Sequence, residues 1–212
     1  SVVVRKWLLA PSRESFPVIG DYLEAGLFLS IGAVAENSEL FIRGCKANHL
    51  TAPLHVLRMI WADVEVVEND LIRISSKNKS SYQALKKLES RIYPGFPTDI
   101  QPKFTVVMTQ CHGVTKLFET LFEGRFAYLS ELQNLGANIE VLNPHQALLR
   151  WPAKLKWWYV VSPDIRGGWA MMVAWIIAEW ETIITNEEMI KRWYERVVEK
   201  LSSIGVDISA KF

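Results

Sequence analysis

A threefold internal repeat constrains this chain more than any single motif does. Segments that begin at Asp21, Asp99 and Asp164 follow one plan: an apolar helix, a short strand, an amphipathic helix, a turn and two further strands. A repeat of this size indicates the architecture directly, because each copy must bury its apolar surface against its neighbours. The three copies span about residues 15–75, 93–150 and 158–212.

The first helix of each copy is apolar on nearly every face. An aspartate stands at the N-cap position each time, where its side chain is favoured. A helix without a polar face is typical of one buried on all sides, so these helices should form the inside of the domain. Their predicted bounds are Asp21–Glu36, Asp99–His112 and Asp164–Glu179.

The remaining elements are half polar and should lie nearer the surface. The second helices, predicted at Ala47–Ile60, Arg125–Leu135 and Glu187–Ser203, each carry one apolar stripe. An arrangement with the sheets outside and the apolar helices inside buries most of this apolar surface. The sequence therefore predicts an α/β fold, an inside-out α/β barrel of three βαβαββ-like repeats, forming one domain over residues 1–212.

Composition excludes several functional classes. The net charge is +1, and no Lys/Arg cluster is interleaved with aromatic residues, which argues against nucleic acid as a partner. The longest apolar run, Trp169–Ala178, is much shorter than the ~20 residues of a membrane span. No signal peptide is visible, so we expect a cytoplasmic protein without membrane contact.

Metal and disulfide sites are not expected either. The four histidines have no ligand spacing, and the two cysteines, Cys45 and Cys111, read as free buried thiols. The polar run Ser75–Ser81 reads as a solvated loop.

Four motifs carry a resemblance to a known family. They are Tyr93-Pro-Gly-Phe-Pro-Thr-Asp-Ile-Gln-Pro-Lys-Phe104, Glu119-Thr-Leu-Phe-Glu-Gly-Arg-Phe126, Asp164-Ile-Arg166 and Arg192-Trp-Tyr-Glu-Arg196. In this order they resemble the C-terminal half of the UDP-N-acetylglucosamine enolpyruvyl transferase family, over almost the whole chain. Proteins of that family transfer the enolpyruvyl group of phosphoenolpyruvate to the 3-hydroxyl of the UDP-sugar, in peptidoglycan precursor synthesis.

The resemblance also implies an incomplete active site. Family members have two similar inside-out domains with the site in the cleft between them, and they need no cofactor. The N-terminal partner domain is missing from this chain, so we expect the fragment to be inactive alone.

Five residues acquire roles from their motif positions. Asp99 matches the catalytic aspartate that handles the proton of the attacking hydroxyl. Leu121 matches a residue lining the UDP-sugar site, and Arg192 matches an arginine that holds phosphoenolpyruvate. Arg125 and Arg166 match further substrate-binding arginines. At position 22 a tyrosine stands where the family pattern has arginine.

The chemistry of these residues fits phosphorylated substrates. Arginine forks and helix N-termini both bind phosphate well. If the three buried helices run parallel, their first turns meet at one end of the domain and bring Asp99 close to Arg166. Each residue also has a simpler interpretation: Asp99 as a helix cap, and Arg125 and Arg192 as solvated surface charges.

Two other functions stay open at this point. One is a non-catalytic sugar-nucleotide-binding module that has lost its partner domain. The other is the related 3-phosphoshikimate enolpyruvyl transferase, which shares the fold.

Several of the nine tryptophans occupy positions where glycine or a small residue is expected. Trp61 fills the turn position held by Gly136 and Gly205 in the other copies, and Trp180 aligns with Gly113. Such turn glycines serve positive φ or close approach, which indole does not suit. We therefore hypothesise a gene in which UGA encodes glycine and was translated as tryptophan. An upstream UGA read as a stop would also account for the missing half.

The nucleotide sequence tests this hypothesis. We expect UGA codons at positions 61 and 180, and sequencing the gene checks it. UGG at these positions would exclude the hypothesis and make the tryptophans genuine.

Overall fold

The computed structural model describes residues 18–150, 152–156, 159–162, 164–179, 183–185 and 194–208. The helices in this part of the chain are α1 (Tyr22–Val34), α2 (Thr51–Met59), α3 (Gln101–Met108), α4 (Ala127–Asn134), α5 (Ile165–Ile176) and α6 (Val197–Ser203), with short 3₁₀ turns at Ala47–Leu50 and Lys79–Ser81. The strands are β1 (Glu39–Arg43), β2 (Asp63–Glu68), β3 (Leu71–Ser75), β4 (Lys87–Ser90), β5 (Val114–Glu119), β6 (Ile139–Asn143), β7 (Gln146–Arg150), β8 (Tyr159–Val161) and β9 (Ile183–Thr185).

The described strands form three separate sheets with related plans. The first has the order β1-β3-β2, the second β4-β5-β7-β6, and the third pairs β8 with β9 in parallel. β1-β3-β2 and β5-β7-β6 are both antiparallel, and each has an irregularity in its outer strand, between Val66 and Glu68 and between Val141 and Asn143. The mixed helix–sheet class agrees with the sequence, but the described strands do not close into a barrel.

Three helices form the interior, as the sequence predicts. All eight residues of α3 are buried, and α3 packs against both α5 and α1. α1 buries nine of its thirteen residues. No helix among the described residues is long and apolar enough to cross a membrane.

The segment after β3 is more ordered than its polar sequence indicates. Ser75 and Ser76 are buried, and Ser75 Oγ donates a hydrogen bond to the Ser38 carbonyl. Lys79 Nζ donates to the carbonyl of Val34 at 2.9 Å, and the buried Tyr82 hydroxyl donates to that of Ala33 at 3.0 Å. These donors bind carbonyls in the last turn of α1, where intrahelical partners are lacking. The prediction of a solvated loop over 75–81 is therefore wrong for the buried Ser75 and Ser76, whereas Lys77, Ser80 and Ser81 are exposed.

Trp61 has the backbone conformation of the glycines with which it aligns. Its φ is +69°, whereas φ is +104° at Gly136 and +89° at Gly205. Each of the three residues donates its N–H to the carbonyl three positions back, and the next residue donates five positions back. The same helix-ending motif thus closes α2, α4 and α6, and in α2 it holds tryptophan at a position that suits glycine.

Two further tryptophans lie in α5. Trp169 is fully buried and packs edge-on against Tyr194, with ring centroids 3.9 Å apart. The indole N–H groups of Trp169 and Trp175 are buried without an acceptor among the described residues. An unsatisfied buried donor costs about 1 to 3 kcal/mol. Trp7, Trp151, Trp157, Trp180 and Trp193 lie outside the described residues.

Lys103 places an amine in the centre of the interior. Its side chain is fully buried on α3, and Nζ donates to the Leu23 carbonyl of α1 at 3.1 Å and to the Tyr194 hydroxyl at 2.8 Å. Burial lowers the pKa of Lys103 to about 7, although the charges of Asp21 and Asp99 oppose that shift. Burial thus favours the neutral form of the Lys103 amine.

We expect Trp61→Gly to be more stable than Trp61→Ala by about 0.5 to 1 kcal/mol. A left-handed conformation costs a non-glycine residue roughly 1–2 kcal/mol, and glycine's greater freedom in the unfolded chain offsets part of that gain. Trp61 is 60% exposed, and both variants lose the same remaining burial of its side chain, so this loss cancels in the comparison. Urea unfolding measures the difference. Gly205→Ala is the matched control and should be destabilising because φ there is +89°, and an added Cβ meets no atom within 4 Å, so no clash adds to the effect. A Trp61→Ala variant as stable as Trp61→Gly would contradict this explanation.

We expect Lys103→Met to change the pH dependence of stability. The folded-state pKa of about 7 lies below the usual lysine value, so the unfolded chain binds more protons above pH 7. The wild-type chain should therefore gain roughly 1 kcal/mol per pH unit relative to Lys103→Met between about pH 7 and 9. Denaturant unfolding at several pH values measures this difference. The exposed Lys86→Met variant should show no such trend, and a pH-independent difference for Lys103→Met would refute the assignment.

Candidate functional site

Asp99 lies just before α3, but it does not cap that helix. The N-cap residue is Ile100, and no side chain satisfies the first backbone N–H groups there. Asp21 and Asp164, by contrast, accept hydrogen bonds from backbone N–H groups of α1 and α5. The interpretation of Asp99 as a helix cap is therefore wrong, and its carboxylate is available for other contacts.

Two arginines share the Asp99 carboxylate. Arg125 Nη1 donates to Asp99 Oδ1 at 2.6 Å, and Arg166 Nε donates to the same oxygen. Arg125 Nη1 also donates to Thr98 Oγ1 at 3.1 Å. The side chains are 27% (Asp99), 13% (Arg125) and 30% (Arg166) exposed. The sequence-based expectation that Asp99 and Arg166 meet is confirmed, and the interpretation of Arg125 as a solvated charge is wrong.

This pairing determines the charge state of Asp99. Burial raises the pKa of its carboxyl, but the hydrogen bonds from Arg166 and Arg125 outweigh burial and hold the pKa below its ordinary value. Asp99 is therefore ionised at neutral pH while both guanidinium groups are in place.

Glu119 is a further site residue that the sequence analysis did not single out. Its fully buried carboxylate accepts from Thr98 Oγ1 at 2.7 Å through Oε2. Oε1 accepts from the backbone N–H of Leu121 at 2.9 Å and of Phe122 at 3.2 Å. Glu119 thus ties the segment before α3 to the turn that carries Leu121.

A signal for Glu119 was present in the sequence. Alternate residues of β5 face the interior, and Glu119 lies on the same face as Thr115 and Leu117. A carboxylate on the buried face of a strand needs hydrogen-bond donors, so this position alone marks it as a structural or functional residue.

A cavity of about 410 Å³ adjoins Asp99. Leu121 lines it, as do Tyr22, His49 and Arg91, which the sequence analysis did not assign to the site. The other lining residues are Ile19, Thr51, Ala52, Pro53, Tyr93, Pro94, Gly95, Pro97 and Thr98. These residues come from segments that are far apart in the chain, so residue patterns alone do not predict that they line one cavity. Arg125 and Arg166 contact Asp99 without lining this cavity.

Tyr22 is the residue that departs from the family pattern. It lines the cavity, and burial together with the charges of Asp99 and Asp21 raises the pKa of its phenol. Tyr22 therefore offers a neutral hydroxyl where the pattern has a positive charge.

One of the residues that the sequence assigns to the site cannot be placed. Arg192 is not among the described residues, so its predicted role has no geometry to support it. Among the residues that are described, no group of three or more His, Cys, Asp or Glu side chains could hold a metal ion. The site thus consists of an ionised carboxylate, two guanidinium groups and an adjoining cavity, a set suited to binding anionic ligands beside a carboxylate.

Sequence comparison shows which known proteins this chain resembles. The chain is 35% identical over 191 residues to a UDP-N-acetylglucosamine 1-carboxyvinyltransferase from Halothermothrix orenii, covering 90% of this chain and 44% of the relative. It is 34% identical over 199 residues to a protein of the same name from Helicobacter pylori, covering 94% and 46%. The chain thus spans about half the length of the curated relatives it matches.

Solved structures agree on the fold. The enolpyruvyl transferase NikO from Streptomyces tendae superposes with a TM-score of 0.81 at 21% identity, over 91% of this chain and 44% of that one. EPSP synthase from Acinetobacter baumannii gives 0.71 at 15% identity, over 92% and 48%.

A match to a protein family covers most of the chain. Residues 8–201 fit the family described as EPSP synthase (3-phosphoshikimate 1-carboxyvinyltransferase). Together with relatives named as 1-carboxyvinyltransferases, this match means that the chain belongs to the EPSP synthase family of enolpyruvyl transferases.

Proposed function

We propose that this chain is the C-terminal domain of an enolpyruvyl transferase that uses phosphoenolpyruvate and UDP-N-acetylglucosamine. The observation that carries the proposal is the Asp99 carboxylate, shared by Arg125 and Arg166 and open to a cavity that Leu121 also lines. The relatives that share about a third of its residues are named for this UDP-sugar.

In the proposed reaction, Asp99 accepts the proton of the sugar 3-hydroxyl. The hydroxyl oxygen then forms a bond to C2 of phosphoenolpyruvate while C3 takes up a proton. C3 next loses a proton as the bond between C2 and the phosphate oxygen breaks, which restores the C2–C3 double bond and releases phosphate. The proton on Asp99 passes to the leaving phosphate or to solvent. Arg125, Arg166 and Arg192 would hold the anionic groups, and Leu121 would contact the UDP-sugar. Guanidinium groups stabilise the negative charge of phosphate during such transfers.

The rest of the site would come from a second domain. In this proposal, residues 1–212 form one inside-out domain of three repeats, and a partner N-terminal domain supplies the opposite wall of the cleft. The buried α1, α3 and α5 and the matching sheet plans of the first two copies support this arrangement. The proposed location is the cytoplasm and the proposed pathway is peptidoglycan precursor synthesis.

A second candidate is the 3-phosphoshikimate enolpyruvyl transferase. The family description and the Acinetobacter baumannii structures favour it, but those structures share only 15–16% identity with this chain. The higher identity to the UDP-sugar enzymes favours the first candidate. A non-catalytic sugar-nucleotide-binding module is the third, and the position of Tyr22 in the cavity is the feature that suits it.

Turnover tests the proposal. The chain should be assayed alone and fused to the N-terminal half of the Halothermothrix orenii relative, with release of inorganic phosphate as the readout. We expect phosphate release by the fusion only when UDP-N-acetylglucosamine and phosphoenolpyruvate are both present, and none by the chain alone. Asp99→Asn should reduce turnover by roughly 10²- to 10⁴-fold, the usual contribution of an acid–base group.

Asp63→Asn is the matched control. Asp63 also pairs with an arginine, Arg73, but lies on β2 away from the site, so turnover should be unchanged. Release driven by shikimate 3-phosphate would move the assignment to the second candidate. UDP-N-acetylglucosamine binding without turnover in the fusion would favour the third.

A further inference from the structure

The two arginines at Asp99 compete for one oxygen atom. Arg125 Nη1 and Arg166 Nε both donate to Oδ1, and Oδ2 takes part in neither bond. Both cations favour the ionised carboxylate, which makes it a weak proton acceptor. A carboxylate held in this way is poorly suited to remove a proton from a hydroxyl group.

The two arginines differ in their exposure to solvent. Arg125 is only 13% exposed, donates also to Thr98, and lies over the Phe122 ring with its guanidinium carbon 4.1 Å from the ring centroid. Arg166, in the first turn of α5, is 30% exposed. Of the two, Arg166 is the one that a ligand from solvent can reach more easily.

We propose that a phosphate-bearing ligand draws Arg166 away from Asp99 and thereby makes Asp99 a stronger proton acceptor. A phosphate group carries more charge than a carboxylate and offers more acceptor oxygens, so it competes well for a guanidinium fork. Asp99 would then become basic only when the anionic substrate is bound. The proposal refines the proposed function and rests on it for its biological meaning.

The other charges around Asp99 allow this change. The negative charge of Asp99 acts on the titratable groups of Tyr22 on α1, Lys103 on α3 and Tyr194 before α6. When Arg166 moves, Arg125 remains, so Asp99 keeps one cationic partner in a half-buried position. The pKa of Asp99 should then rise without the carboxylate becoming an isolated buried charge.

Nuclear magnetic resonance of the 212-residue chain tests the proposal. The Nε–H signals of the arginines are followed at pH 7 during a titration with inorganic phosphate, against chloride at equal ionic strength. The chemical shift of the Asp99 carboxyl carbon is then followed as the pH is lowered, once in sulfate and once in chloride. Sulfate replaces phosphate here because it keeps both negative charges in the pH range where carboxylates titrate. We expect the Arg166 signal to move saturably with phosphate, and the pKa of Asp99 to be about 1 unit or more higher in sulfate.

The Asp63–Arg73 pair is an internal control. Arg73 donates to both carboxylate oxygens of Asp63, at 2.9 and 3.0 Å, and these hydrogen bonds lower the pKa of Asp63. Neither the Arg73 signal nor the Asp63 titration should respond specifically to phosphate or sulfate. A common response of both pairs would show a general ionic effect and overturn the proposal.

Two variants complete the test. Arg166→Gln should raise the pKa of Asp99 without any anion and abolish the anion response, whereas Arg73→Gln should leave the Asp99 titration and its anion response unchanged. The proposal fails if phosphate causes no saturable change, if it binds while Arg166 stays on Asp99, or if Arg166→Gln leaves the Asp99 titration unchanged. Failure of the proposed function would instead appear as a lack of turnover with UDP-N-acetylglucosamine while the Arg166 response persists.

Discussion

The complete burial of α3 is the constraint on which the rest of the structure depends. Every residue of this helix lies inside, so its polar side chains must find partners there. Lys103 forms hydrogen bonds to α1 and to Tyr194, and Thr105 forms one to Tyr128 of α4 at 2.9 Å. Because these bonds and the packing fix the helix on all sides, the residues just before it are held firmly as well. Asp99 is one of these residues, and its carboxylate is held where Arg125 and Arg166 donate to it.

The position of Asp99 also explains why the site spans the copies. Arg125 comes from the turn after β5, and Arg166 comes from the first turn of α5. Glu119 adds a second link, because its carboxylate holds both Thr98 and the backbone at Leu121. The site therefore depends on how the second and third copies pack, and its geometry should be sensitive to changes in the buried helices.

The sequence predicted the positions of the helices better than the contacts that individual side chains make. The repeat located α1, α3 and α5, and the glycine-like position of Trp61 followed from alignment of the copies. β4 was not predicted because its sequence, Lys-Leu-Glu-Ser, has only one apolar residue. The strand is defined by its pairing with β5, which the sequence does not reveal. The burial of Lys103 could not be predicted, because its acceptors lie on other segments. The cap interpretation of Asp99 failed because α3 begins at Gln101 with Ile100 at the N-cap, one residue later than the repeat indicates.

The contacts of Tyr82 and Lys79 with α1 have a consequence for how such repeats can be rearranged. These two residues follow the first copy, yet they supply the donors that finish its first helix. The boundary between copies in the amino-acid sequence is therefore not a boundary between independently stable modules. A recombined or permuted protein that takes the first copy without residues 76–82 would leave the end of α1 without these donors. Shuffling of copies should thus be tolerated only when the junction is placed beyond Tyr82.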